Sequence, residues 1–372
     1  MRILILAADF FSVGGIQRYT RYQYKALADL YGYNNIFVFS LTAPKEKNKF
    51  DEKFDVYYTG KGINLKSKLN YFIHIVRFIR KNDINLIIVT HVQLSIIAYI
   101  IKKMYRIKYF TNVYGLEIWG GLKRKDIIGL LNSNTIIADC KFILEYIKCN
   151  FNYNSNKIEL LYDPVDMEKF KPKNRNSKLL QKYNIPNDKF IVSTIGRLER
   201  NKGHEIIIKS LKELKEDIVY VVVGDGFMKK KLMTLCEDLG IIENVIFTSR
   251  VPDHELVDFY NLADVIILLS VFEDEEGEGL PLGLIEASAC CKPIIAGNED
   301  GSSEAISDDY PNGFRINPRN KKELVQKIKY LIDNPKLVKK YGENGRKYTL
   351  EMFSYDIFKR KLSKMILDMK NN

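Results

Sequence analysis

Two glutamates, Glu278 and Glu286, enclose seven residues, Gly279-Leu280-Pro281-Leu282-Gly283-Leu284-Ile285. The spacer is almost wholly apolar and holds two glycines. A strand-like run, Val265 to Leu269, precedes it, and a helical one, Glu286 to Cys290, follows. One acid therefore sits in a loop and the other about a turn into a helix. Pro281 suits the first helical turn, where its missing N–H costs nothing. The loop amides and the helix N-terminus point at the same space, a natural place for a phosphate. The bland alternative is a pair of surface acids continuing the acidic loop Glu273-Asp274-Glu275-Glu276. Packing alone does not explain acids that flank an apolar turn.

Ile195-Gly196-Arg197-Leu198-Glu199-Arg200-Asn201-Lys202-Gly203 ends a second strand and opens a second helix. Ligands bind at the carboxyl ends of parallel strands. There Arg197 offers a planar fork and Lys202 a point charge, and both suit a diphosphate. Val223-Gly224-Asp225-Gly226 closes the next strand, where glycine permits a tight turn and the close approach of a ligand. Val13-Gly14-Gly15 joins the first strand to the first helix. One glycine pair is not a dinucleotide fingerprint, which needs more glycines and an acid after the second strand. Thr90-His91 and Asn112-Val113-Tyr114-Gly115-Leu116-Glu117-Ile118-Trp119 also end strands. Trp119, the only tryptophan, either stacks on a sugar or packs. In Asn298-Glu299-Asp300-Gly301-Ser302-Ser303-Glu304, Ser302 or Ser303 is a reasonable helix N-cap.

In their order along the chain these runs resemble the motifs of retaining glycosyltransferases of family 4: E-x7-E, G-R-x4-K-G, a G-x-G turn and a Gly-Gly loop. The resemblance implies the GT-B fold. That fold has two Rossmann-like domains, parallel sheets facing across a cleft, and a C-terminal helix crossing back. It implies that Glu286 binds the ribose of a nucleotide-sugar donor and that Glu278 lies near the donor sugar. Arg197 and Lys202 would hold the diphosphate and stabilise the charge on the leaving group. Glu278, Arg197 and Lys202 are thus the expected catalytic residues. Gly14, Gly15, Gly224, Leu282 and Gly283 would join them in donor binding, and His91, Tyr114 and Glu117 would stand on the acceptor or sugar side. Two departures are visible: Leu280-Pro281 where many members have Phe-Gly, and Tyr114-Gly115 where many have His-Gly. The loop that ends at Glu304 has a mainly structural role in the family. The implied reaction moves a sugar to a hydroxyl with retention, through no catalytic nucleophile, metal or cofactor.

The elements that must position these residues alternate along the chain. Short Ile/Val-rich runs read as strands at 3–7, 36–40, 86–90, 109–113, 135–138 and 158–160, then at 190–195, 219–223, 245–247, 265–269 and 294–296. Helical patterns fall between them, which argues for α/β with parallel sheets covered on both faces. The 372 residues suit two domains. The expected division is 1–163, 164–345 and a last helix, 346–372, with 335–341 and 344–370 as separate helices. Hydrophobic content of 46% and charge of 28% describe a globular protein. No apolar run reaches membrane-spanning length. Arg2 to Ala8 is too short for a signal peptide and reads as a first strand. Five scattered cysteines without CxxC spacing suggest mostly buried thiols in a reducing cytoplasm, and four dispersed histidines suggest no metal site.

The net charge is +12, and residues 1–163 carry 24 Lys and Arg against 13 Asp and Glu, a net of +11. Lys61, Lys66, Lys68, Arg77, Arg80 and Lys81 form one basic stretch, and Lys102, Lys103, Arg106 and Lys108 another. Such a field attracts anionic lipid, nucleic acid or phosphorylated substrates. Together with the resemblance, it leads us to expect a glycan or lipid-linked acceptor in surface polysaccharide assembly. The enzyme would be cytoplasmic, with a peripheral contact on anionic lipid at the inner face of the plasma membrane. One alternative is a nucleotide-sugar epimerase of the same fold. Another is a basic nucleic-acid-binding protein, which the lack of a recognition helix or RNA-binding signature disfavours.

Overall fold

The computed structural model describes residues 1–12, 14–43, 56–58, 65–151, 157–186, 188–214, 217–273 and 277–371. Val13, Lys61 and the acids Asp274, Glu275 and Glu276 lie outside the described residues. The chain divides into two compact units, residues 1–164 with 355–372, and residues 165–354.

The first unit is built on a sheet of seven parallel strands. In chain order they are β1 (Ile3–Ala7), β2 (Ile36–Ser40), β3 (Val56–Tyr58), β4 (Leu86–Val89), β5 (Lys108–Val113), β6 (Thr135–Ala138) and β7 (Ile158–Leu160). Their spatial order is β3-β2-β1-β4-β5-β6-β7, so the direction of winding reverses beside β1. Strand β1 shows why the run is apolar throughout. Ile3, Ile5 and Ala7 pack on one face with Tyr19, Leu27 and Phe358, while Leu4 and Leu6 pack on the other with Tyr71, Ile75 and Ile101. A strand buried on both faces cannot alternate with polar residues.

The second unit repeats the plan with six parallel strands: β8 (Phe190–Ile195), β9 (Ile218–Val223), β10 (Val245–Ser249), β11 (Val265–Leu268), β12 (Ile294–Gly297) and β13 (Gly313–Ile316). The order is β10-β9-β8-β11-β12-β13. Winding reverses between β8 and β11, and the loops after those two strands carry the basic and the glutamate motifs.

Two expectations about the C-terminal region change. Residues 335–353 form one helix rather than breaking near Gly342, and the helix Tyr355–Asn371 begins nine residues later than the expected 346. The glycines serve contact instead of termination. A Cβ at Gly342 would stand 2.0 Å from the Cys291 carbonyl oxygen, so the helix 335–353 lies directly on the chain that leaves the helix Leu282–Ala289. The actual break is at Ser354, whose φ of −72° and ψ of 153° are extended. Beyond it the last helix packs within the first unit on the helix Gly15–Tyr31, through the Tyr19–Phe358 ring pair at 5.4 Å and a Tyr355 hydroxyl bond to Asp29 at 2.7 Å. With this helix included, the first unit holds 29 Lys and Arg against 15 Asp and Glu, a net of +14, and the second holds 29 against 31, a net of −2.

Candidate functional site

In the second unit, the ends of β8 and β11 open into a cavity of about 230 Å³. Its lining includes Thr194, Arg197, Lys202, His204 and Glu278, and the helix start from Pro281 to Leu284. Four of the sequence-predicted site residues or groups thus meet in one place: Arg197, Lys202, Glu278 and the pair Leu282–Gly283. The Lys202 ammonium and the Glu278 carboxylate form an ion pair within it, with side chains only 11% and 18% exposed. Burial of two charges is tolerable because each neutralises the other. Arg197 is 64% exposed and its guanidinium bonds Glu199 at 2.6 Å. It stands at the rim of the cavity.

Local geometry explains these positions. Gly203 has φ +71°, a left-handed turn that ends the short 3-10 stretch Arg200–Lys202 and starts the helix His204–Leu211. Pro281 is the residue before the helix Leu282–Ala289 rather than a member of its first turn. Glu286 is therefore the fifth residue of that helix, buried at 4% exposure, and does not line the cavity. Its Oε2 accepts a 2.6 Å hydrogen bond from the Tyr260 hydroxyl. Gly224 does not line the cavity either. It has φ +143°, and a Cβ there would stand 1.8 Å from the Gly196 carbonyl oxygen, so it lets the two strand-end turns touch.

Three contributors escaped sequence reasoning. His204 lines the cavity with its ring nitrogens 3.3 Å from the Tyr220 hydroxyl and 3.4 Å from the Arg197 carbonyl. Burial lowers its pKa to about 4, with Lys202 adding to the shift, so the ring is neutral at pH 7. Its place directly after Lys202-Gly203 was the available signal, since the first residue of such a helix faces the strand ends. Tyr260 lies 26 positions before Glu286 and gives no local signal. Asp300 is the third. It, not Ser302 or Ser303, caps the turn Gly301–Ala305, because the turn starts earlier than the sequence suggests. Its Oδ1 accepts from the Ser302 amide at 2.9 Å.

The first-unit candidates are tied into their own turns and loops. Gly14 and Gly15 start the helix that follows β1. His91 follows β4 and caps a short turn, its Nδ1 accepting from the Gln93 amide at 3.3 Å. Burial lowers its pKa and the charge of Lys68 adds to this. Glu117 closes its own loop by accepting from the Tyr114 amide at 2.8 Å. Burial raises its carboxyl to about 7. The Tyr114 ring packs edge-on to Tyr19 at 5.2 Å. Trp119 is 2% exposed beneath Gly115, which resolves its two readings in favour of packing. Arg77 and Lys81 line an open groove of about 580 Å³ with Tyr57 and Tyr58, while Arg80 bonds the Tyr105 hydroxyl at 3.1 Å. No His, Cys, Asp or Glu cluster able to hold a metal ion occurs among the described residues. No helix among them is long and apolar enough to cross a membrane.

Residues 176–348 match the model of the family glycosyl transferases group 1. Over 237 residues the chain is 29% identical to the N-acetylgalactosamine-N,N'-diacetylbacillosaminyl-diphospho-undecaprenol 4-alpha-N-acetylgalactosaminyltransferase of Campylobacter jejuni, covering 63% of this chain and 61% of that one. The chain spans 54% to 61% of the length of this and two further curated relatives. Among solved structures, Anabaena HepE in complex with UDP superposes with a TM-score of 0.83 at 17% identity, covering 99% and 100% of the two chains. A glycosyltransferase from Rickettsia africae gives 0.84 at 22% identity, covering 100% and 99%. The architecture of two parallel α/β units and these likenesses make the fold GT-B.

Proposed function

We propose that this chain, whose residues 176–348 match the model of the glycosyl transferases group 1 family, is a member of that family and transfers a sugar from a nucleotide-sugar donor to a hydroxyl of a glycan or lipid-linked glycan. The observation that carries the reading is the Lys202–Glu278 pair inside the cavity at the β8 and β11 ends. A near-buried cation beside a helix N-terminus suits a diphosphate. A near-buried acid beside it suits sugar hydroxyls. Arg197 at the rim completes the clamp, while the ribose role of Glu286, which is buried against Tyr260 outside the cavity lining, rests on the family resemblance alone. The cations then supply the charge stabilisation that a metal supplies elsewhere, so the reaction proceeds without one.

In the proposed step the bond between the anomeric carbon and the diphosphate oxygen breaks. The acceptor oxygen attacks the same face, and its proton passes to the departing phosphate. Configuration is retained and no residue becomes covalently attached. Negative charge grows on the diphosphate as the bond breaks, so contacts from Arg197 and Lys202 strengthen in the transition state. The +14 of the first unit supports an acceptor held at an anionic lipid surface, in surface polysaccharide or glycoconjugate synthesis at the cytoplasmic face of the membrane. The Campylobacter relative is named for a diphospho-undecaprenol acceptor, and the Anabaena structure holds UDP, so uridine donors and polyprenyl-diphosphate glycans are the first substrates to test. The experiment is a transfer assay with a panel of nucleotide sugars in EDTA, followed by assignment of the product's anomeric configuration. Retained product formed in chelator is expected. Product only after Mn²⁺ or Mg²⁺ is restored, or an inverted product, would refute the mechanism.

A further inference from the structure

Glu278 is held by more than its ion pair. Both of its backbone polar groups bond to Asp300–Gly301 in the loop after β12. Asp300 Oδ2 accepts from the Glu278 amide at 2.9 Å, and the Gly301 amide donates to the Glu278 carbonyl at 3.1 Å. The two segments approach so closely that a Cβ on Gly301 would stand 2.2 Å from the Gly279 carbonyl oxygen. Asp300 is itself fixed. It is 1% exposed, and its Oδ1 accepts from the Ser302 amide at 2.9 Å and from the Ser270 hydroxyl at 3.2 Å. Ser270 and Ser302 hydroxyls lie 2.6 Å apart, which ties in the chain leaving β11. Three donors therefore converge on one buried carboxyl.

We propose that Asp300 is a positioning residue for the sugar-side acid: it fixes the backbone of Glu278 and thereby the place of its carboxylate beside Lys202. This rests on the reading of Glu278 given above. Burial raises the Asp300 carboxyl above the usual aspartate range, and the hydrogen bonds from Ser302, Glu278 and Ser270 oppose that rise. The site thus accepts the cost of a buried acid to obtain an acceptor for three donors. A neutral amide of the same shape fails there. Either orientation of an Asn side chain would set its NH2 against a backbone N–H, that of Glu278 or that of Ser302. Loss of the acceptor, rather than loss of volume, is the feature that separates this role from ordinary packing.

The test is a cycle of Asp300→Asn, Glu278→Ala and the double variant, read as turnover, as affinity for the bare nucleoside diphosphate and as a crystal structure of Asp300→Asn. Asp300→Asn is expected to lower turnover ~10- to 100-fold, since a misplaced reacting group costs about that much. Affinity for the bare nucleoside diphosphate, which has no sugar to meet Glu278, should stay within about threefold of wild type. In the Glu278→Ala background the same change should cost less than about threefold, because coupled sites are not additive. Equal losses in both backgrounds would overturn the proposal. The crystal structure separates it from the reading of function. Asp300→Asn should shift the Glu278 main chain and break its contact with Lys202, whether or not the chain transfers sugar. An unmoved Glu278 would overturn the inference, while a wild type inert with every nucleotide sugar would overturn the functional reading alone. If Asp300→Asn does not fold, Ser270→Ala removes one of the three donors and should give the same displacement to a smaller degree. No displacement in Ser270→Ala would then overturn the proposal.

Discussion

The two units share one architecture and differ at the ends of their strands. In the second, the loops after β8 and β11 bring opposite charges together inside a cavity, and a third loop, after β12, holds one of them by its backbone. In the first, the equivalent loops turn inward. Glu117 bonds its own Tyr114 amide, Tyr114 packs on Tyr19, and Trp119 is buried. Its sequence instead carries a net charge of +14 against −2 for the second. A parallel sheet presents a site at its carboxyl edge only where its loops spend polar groups on that edge. The second unit does so. In the first, the described loops around Tyr114–Trp119 spend their polar groups on themselves.

The sharpest way to break this contrast is Lys202→Ala. It removes the cation of the cavity and leaves Glu278 near-buried and unpaired. Turnover should fall ~10²- to 10³-fold, as on removal of one preorganised transition-state donor. A loss in steady-state kinetics below tenfold would move the chemistry away from this cavity.

Reversal of Arg77, Arg80 and Lys81 to Glu addresses the other unit. Each cation at an anionic surface contributes about 1 kcal/mol, screened within a Debye length. Partition onto anionic vesicles at low salt should fall by about 100-fold or more, with nucleotide affinity unchanged. Equal partition of variant and wild type in a sedimentation assay would reject this surface as the membrane contact.

Glu286→Ala should weaken nucleotide binding about ten- to hundredfold, since a hydrogen bond to a charged group contributes about 1.5–3 kcal/mol. Tyr260→Phe, which removes only the hydroxyl bonded to Glu286, should show a smaller loss in the same titration. Unchanged affinity in a folded Glu286→Ala protein would remove the ribose assignment.

The smallest effect tests the closed loops of the first unit. Burial raises Glu117 to about 7 in the folded chain, against 4.5 for an ordinary glutamate. Between those values the folded state binds more protons than the unfolded one, so stability falls as pH rises through this window and stays reduced above it. Glu117→Gln keeps the acceptor for the Tyr114 amide without the charge. It should raise stability by about 1–2 kcal/mol at pH 8 and by nothing below pH 4.5. Denaturant melts at the two pH values measure this, and a gain of the same size at both would contradict the buried-acid reading.

Much of this is legible in the sequence. Strands such as β1, β4 and β9 are buried on both faces and so appear as unbroken apolar runs. The two missed strands are sheet edges: Val56–Tyr58 is largely exposed, and Gly313–Ile316 contains a glycine and an exposed Arg315. Gly342 looked like a helix end because its use, contact with Cys291, is a tertiary fact. The site divides the same way. Arg197, Lys202 and Glu278 lie in short motifs whose spacing reflects local turns. Asp300 and Tyr260 reach their partners from 22 and 26 positions away, through sheet order rather than local pattern.

The central claim is that the Lys202–Glu278 cavity binds a nucleotide-sugar donor without a metal. Calorimetric titration of wild type and Lys202→Ala with a panel of nucleotide sugars in EDTA tests it directly. At least one donor should bind wild type in chelator, and Lys202→Ala should bind it at least about tenfold more weakly, as expected for loss of a charge-assisted contact to the diphosphate. Equal affinity in the two proteins, or binding that appears only when a divalent cation is added, would contradict the account.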